Sequence, residues 1–135
     1  MLIVVLTLLV SWAAPALADV QVVAHSGVPR SELDEQTLQR IYLGKKTRWN
    51  SDLDIVPVML KSGLAHQEFV EGVLDRTVSR FVTFWKQAMF TGRGVPPRSF
   101  DTEEELMFYI ARTPGAIGYV SAGAATTGLK VIVVD

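Results

Sequence analysis

The chain has 135 residues, a formal charge of −1 from 13 Lys and Arg against 14 Asp and Glu, and no cysteine. Near-neutrality excludes the strongly basic face that general nucleic-acid binding needs. The missing thiols exclude disulfides, thiolate metal sites and a cysteine nucleophile, which suits an exported protein whose core needs no staples.

Met1 to Val10 is almost purely apolar, and Ser11 to Ala18 turns small, with Ala16-Leu17-Ala18 before Asp19. That pattern predicts a signal peptide over 1–18, although the usual basic start is missing. Ser11 and Pro15 break the apolar stretch short of the roughly 20 residues of a bilayer span. No cysteine follows the cleavage site, so a lipid anchor is not expected. Residues 19–135 are then expected to form one domain, periplasmic or secreted, touching a membrane only through an uncleaved leader.

Val20 to Ala24 reads as a strand, and His25 to Arg30, with Gly27 and Pro29, as a loop. A helix is predicted from about Asp34 to Leu43, with Leu38, Ile41 and Tyr42 on one stripe, Asp34 as N-cap and Gly44 as terminator. Lys45 to Asp54 is polar and reads as a loop around Trp49. Ile55 to Leu60 is a strand whose Pro57 calls for a strand start or an edge. Ser62-Gly63 opens a helix to about Leu74, burying Phe69, Val70, Val73 and Leu74.

Thr77 or Ser79 opens another helix to Phe90, with Val78, Phe81, Val82, Trp85 and Met89 at helical spacing as its buried face. Phe84 falls off that stripe, and Phe90 is grouped with the core aromatics. Thr91 to Phe100 holds two glycines and two prolines and reads as a loop. Asp101 or Thr102 starts a helix whose acidic first turn suits the positive end of its dipole; it ends near Arg112, before Pro114. Ile117 to Val120 and Val131 to Val134 are the last strands. The glycine at 118, inside a strand, marks a close approach by another group. The order β-α-β-α-α-α-β-β implies an α/β fold with crossover connections and a largely parallel sheet.

Catalysis is poorly provided for, and the chain reads as a non-enzyme that calls for no cofactor. His25 and Ser26 are neighbours in sequence, which does not supply the side-chain geometry of a Ser-His pair. Ser121 is one residue off a nucleophile elbow and follows its strand in the wrong context. His25 and His66 lack metal-site spacing, Glu103-Glu104-Glu105 reads as a helix start, and no phosphate-loop motif occurs. Anion binding has more behind it. Lys61-Ser62-Gly63 lies at a strand end before a helix, where free N–H groups and a dipole favour an oxyanion. The alternative is that Ser62 only caps the helix and Lys61 is solvated. Ser26-Gly27, after the first strand, is a second candidate, since ligands sit outside the carboxyl ends of strands in open α/β sheets. Lys45, Lys46 and Arg48 beside Trp49 form a basic group that could grip a partner or simply face solvent.

Several segments together carry a resemblance. Ile41-Tyr42-Leu43-Gly44-Lys45-Lys46 precedes Trp49-Asn50; Ser62-Gly63 precedes a helix with Phe69; Trp85-Lys86 leads to Phe90-Thr91-Gly92-Arg93-Gly94-Val95-Pro96-Pro97; and Thr113-Pro114-Gly115-Ala116-Ile117-Gly118-Tyr119-Val120 closes the series. In this order they resemble the second lobe of the phosphate-binding components of ABC transporters, in the form of short single-lobe relatives. The resemblance implies a single lobe of a type II periplasmic binding protein-like fold, a mostly parallel mixed sheet flanked by helices. It implies binding of phosphate or a similar oxyanion at Lys61, Ser62 and Gly63, with Ser26 and Gly27 second. It also implies an ABC transporter permease, a second lobe or another protein as partner.

The departures bear on function. The full-length family holds phosphate with an Arg, an Asp and a Ser-Gly-Thr turn; here the segment is Met59-Leu60-Lys61-Ser62-Gly63-Leu64, without the Arg, the Asp or the Thr. Lys61 replaces bidentate recognition only with a point charge. The family's first lobe has no counterpart in this sequence. An alternative expectation is therefore an interaction or sensory module that kept the fold and lost solute binding.

Overall fold

The structure is a computed structural model that describes residues 20–135; the expected leader lies outside them. Thirteen short segments build one six-stranded sheet, one small hairpin and the helices around them. The sheet order is β2-β8-β1-β7-β5-β6. Its strands are β1 (Val20–Ala24), β2 (Glu32–Leu33), β5 (Val56–Leu60), β6 (Arg98–Phe100), β7 (Ala116–Ser121) and β8 (Lys130–Val134).

The fold is α/β with a mixed sheet flanked by helices. β5 runs parallel to both β6 and β7, and β2 runs parallel to β8. β1 runs antiparallel to both its neighbours, with Val20 opposite Ser121 and Ala24 opposite Ile117. That reversal has a consequence for the site. The end of β1 lies beside the start of β7, not beside its end.

Local chemistry explains most helix boundaries. In α1 (Glu35–Tyr42) the Asp34 carboxylate accepts the Thr37 N–H at 2.7 Å, and Leu38, Ile41 and Tyr42 are buried. In α3 (Val78–Phe90) the Thr77 hydroxyl accepts the Arg80 N–H, and in α4 (Glu103–Ala111) the Thr102 hydroxyl accepts the Glu105 N–H, each at 3.1 Å. Side-chain acceptors of this kind satisfy amide groups that a helix start leaves without partners. The short α2 (Leu64–Glu68) widens into a π-helical turn, Phe69–Val73, that buries Phe69, Val70 and Val73.

Four expectations are corrected. Polar residues 45–54 hold a hairpin, β3 (Arg48–Asn50) with β4 (Leu53–Asp54), and the Gly/Pro-rich 91–100 segment ends in β6. Both are too short to leave a periodic signal, and β6 also depends on β5, a partner distant in sequence. On α3 the buried face is Phe81, Trp85 and Ala88, while Val82 and Met89 are exposed. Phe90 is 92% exposed, so it is not a core residue.

The core has two layers on the sheet. A Cβ on Gly118 would come within 2.9 Å of Ile110 Cδ1 and Val58 Cγ2, and 3.1 Å of Leu106. The close approach expected at this glycine is thus the seating of α4 on β7. On the opposite face, where Tyr119 projects, the Phe69 ring stacks on Tyr119 with centroids 3.9 Å apart, and Tyr42 meets Phe69 edge-on at 4.9 Å. Pro57 sits one residue before the β5–β6 pairing begins at Val58, so its missing N–H breaks no bond to β6. Among the described residues no helix is long and apolar enough to cross a membrane.

Candidate functional site

The parallel strands β5 and β7 finish at the same end of the sheet, and a cleft of about 460 Å³ opens there. Lys61, Ser62 and Gly63 form one wall, and Thr77 and Ser79 at the start of α3 form another. The buried His66 also lines it. Gly63, at φ 99°, is the residue before α2, a conformation an L side chain rarely adopts. No side chain caps α2. The Ser62 hydroxyl is therefore not a helix cap, in contrast to the oxygens of Asp34, Thr77 and Thr102 at the other helices. Ser62 is exposed, and the first amides of α2 have no intrahelical acceptor.

The charge balance of the cleft is less favourable to anions than its backbone. Lys61 Nζ lies 3.2 Å from Asp101 Oδ1, and both side chains are well exposed. β6 brings this carboxylate into place: the Lys61 N–H donates to the Phe100 carbonyl at 3.0 Å, one residue before Asp101. Glu71 also lines the cleft. Asp101 was legible in the sequence only as a helix start. Its pairing with Lys61 depends on β6, a three-residue strand.

Beneath the cleft runs a buried polar chain. The Leu60 N–H donates to the Tyr119 hydroxyl at 3.0 Å, and that hydroxyl lies 2.5 Å from His66 Nδ1. In the tautomer that carries its proton on Nε2, the neutral imidazole accepts at Nδ1 from the phenol O–H. Burial pushes the Tyr119 phenol far above its ordinary range and the His66 imidazole below its ordinary 6.5, so both stay uncharged at neutral pH. This histidine carries no sequence motif; only the packing of α2 on β7 makes it part of the site. The Tyr42 hydroxyl donates to the Val58 carbonyl at 2.8 Å, tying α1 to β5.

Ser26 and Gly27 do not join this site. His25 N–H donates to the Ala116 carbonyl at 2.9 Å, which places their loop at the start of β7. Ser62 lies beyond the end of the neighbouring parallel strand, a strand's length away, roughly 17 Å at 3.3 Å per residue. Because β1 is antiparallel to β7, the two loops sit at opposite ends of the sheet, and one small anion cannot touch both. The His25 ring accepts the Gly27 N–H through Nδ1 at 3.0 Å. The Ser121 hydroxyl donates to Glu103 at 2.9 Å, and its N–H donates to the same carboxylate at 2.8 Å. That carboxylate fastens the start of α4 to the end of β7. Among the described residues no group of three or more His, Asp or Glu side chains is placed to hold a metal.

Comparison with solved structures places this fold. The chain is similar to an ABC-type phosphate transport receptor from Vibrio cholerae, with a TM-score of 0.66 and 18% identity over 86% of this chain and 46% of that one. It is similar to a putative phosphate ABC transporter substrate-binding protein with bound phosphate from Clostridium perfringens, with a TM-score of 0.68 and 19% identity over 87% of this chain and 45% of that one. It is also similar to PstS from Borrelia burgdorferi, with a TM-score of 0.66 and 15% identity over 87% of this chain and 47% of that one. The chain thus spans less than half the length of these proteins and adopts the fold of one part of them. No protein-family profile matches the sequence, and no curated protein matches it.

Proposed function

We propose that this chain is an exported solute-binding lobe that takes phosphate or a similar oxyanion at Lys61-Ser62-Gly63 and works with an ABC transporter. The observation that carries the reading is the uncapped start of α2 at the end of a parallel strand, with a free-standing serine hydroxyl beside it. The similar fold of a receptor with bound phosphate supports the ligand class. The α2 amides and the Ser62 hydroxyl would donate to the anion, and Lys61 would add one charge. A single open lobe leaves such contacts wet, so weak, millimolar binding is expected unless a second lobe or a permease covers the site. Ser26 and Gly27 have no part in this reading.

Calorimetric titration of residues 19–135 with phosphate and sulfate tests it. Binding should weaken in Ser62→Ala. It should strengthen in Asp101→Asn, by up to about fivefold, because Lys61 is released from an exposed ion pair that contributes about 1 kcal/mol at most. Absence of heat at 10 mM of either anion, in the wild-type and in Asp101→Asn, would overturn it.

One observation favours a second reading, an interaction or sensory module that no longer binds solute. Lys61 is matched by Asp101, and Glu71 adds a negative charge to the cleft. Under this reading the domain ignores both anions yet forms a stable complex with a protein partner.

A further inference from the structure

A larger cavity, about 1000 Å³, lies at the other end of the domain, where α3 finishes. Its apolar wall is made by Leu43, Phe84, Trp85, Phe90 and Val95. Phe90 is 92% exposed and Val95 83%, so two large apolar side chains stand in water on its rim. Trp85 forms the floor and is held in place, since its indole N–H donates to the Tyr42 carbonyl at 3.1 Å. Gly44 and Gly94 flank that indole: a Cβ would sit 3.1 Å from Cη2 at one and 3.5 Å from Cζ3 at the other. Side chains at either position would crowd the groove; glycines leave the ring edge open.

The rim is cationic. Lys45, Lys86 and Arg93 line the cavity, and no Asp or Glu does. All three are exposed, and among the described residues none of them is in an ion pair. On a chain of net charge −1 this is a local excess of positive charge. The acidic residues Asp101, Glu103, Glu104 and Glu105 gather at the opposite end, with the Ser62 cleft. Trp, Phe and Arg around a concave apolar floor are residue types enriched where proteins bind one another.

We propose that this groove binds an acidic segment of a partner protein, with a bulky apolar side chain of that segment seated against Trp85 and carboxylates meeting Lys45, Lys86 and Arg93. Charge complementarity selects an acidic partner over a basic one. The concave shape favours an inserted side chain over a flat lipid surface. A second copy of this chain fits less well. At the groove's own end Asp54 is already paired with Arg48, and a copy that offered its Asp101–Glu105 cluster would dock head to tail, leave another groove open and grow into filaments. The proposal does not depend on anion binding at Ser62.

The test is to pan random 12-residue displayed peptides on residues 19–135 and measure the best binders by fluorescence anisotropy. Enriched peptides should carry both acidic residues and an aromatic or large aliphatic anchor. Their affinity should fall about tenfold or more in Phe90→Ser and in the double variant Lys86→Glu with Arg93→Glu. All three positions are exposed, and unchanged circular dichroism would show that the variants fold. The proposal is overturned if no peptide is enriched, if the enriched peptides are basic or uncharged, or if their affinity is unchanged in both variants. Two further results overturn it: binding to vesicles with 30% phosphatidylglycerol but to no peptide, and self-association of the domain that Phe90→Ser abolishes.

Discussion

The two ends of the sheet use their side chains in opposite ways. Where β5 and β7 finish, buried and half-buried polar atoms are paired internally: Leu60 with Tyr119, Tyr119 with His66, and Ser121 with Glu103. Where α3 finishes, some 20 Å along that helix, Phe90 and Val95 stand in water beside cations that, among the described residues, have no carboxylate partner. Leaving a buried polar group without a partner costs free energy, so the floor beneath the first end's cleft is fixed by its own hydrogen bonds. The second end has contacts still to make. The larger of these two cavities is therefore not at the turn that the sequence picks out as the binding site.

The strongest way to break this contrast is at Tyr119. Tyr119→Phe keeps the stacking on Phe69 but leaves the Leu60 amide and His66 Nδ1 without their partner. A loss of about 3 kcal/mol in urea unfolding is expected from stranding two buried groups. A loss below about 1 kcal/mol would mean that the network contributes little.

The next effect is on pH dependence. Burial lowers the folded-state pKa of His66 below its unfolded value of 6.5. Above 6.5 both states are neutral there, and the group adds no slope. As pH falls below 6.5 the unfolded chain takes up a proton before the folded one, so stability should drop until pH passes the folded pKa, then level off at this site. His66→Gln should remove that part of the slope when unfolding is compared at pH 7.5 and 5.5. If the two slopes are the same, His66 is not buried neutral in the folded protein.

The smallest effect is expected at the other end. Phe90→Ala should change stability by no more than about 0.5 kcal/mol, because the ring has little folded-state surface to lose. A larger loss in thermal unfolding would show that Phe90 packs on the domain and that the groove is narrower than described.

Much of the fold was legible locally. The N-cap of α1, the start of α4 at Asp101 or Thr102, the buried face Phe69, Val70, Val73 and Leu74, and the strand around Gly118 all follow from short-range rules about caps, periodicity and breakers. The spacing on α3 was read too broadly. Val82 and Met89 satisfy helical periodicity with Trp85, but the helix packs only through Phe81, Trp85 and Ala88 because it lies on the outside, against the π-helical turn and α1. Periodicity names a face; it does not say how wide a strip of that face a neighbour covers.

The candidate site was half legible. The Ser62-Gly63 corner stands out because a serine-glycine pair after an apolar run signals a strand end and a helix start. Asp101 and His66 did not, because each reaches the cleft through a partner distant in sequence, β6 for one and β7 for the other. Ser26 and Gly27 looked equivalent to Ser62 and Gly63, since both pairs follow a strand.

By itself, the sequence determined about where the helices begin and which residues are apolar enough to form a core; it left open whether Ser62 caps α2, which the structure shows it does not. Only the tertiary structure decided the direction of β1, and with it that the two serine-glycine turns lie at opposite ends of the sheet. Strand direction depends on which neighbour supplies the hydrogen-bond partners, a long-range choice that leaves no trace in local residue pattern.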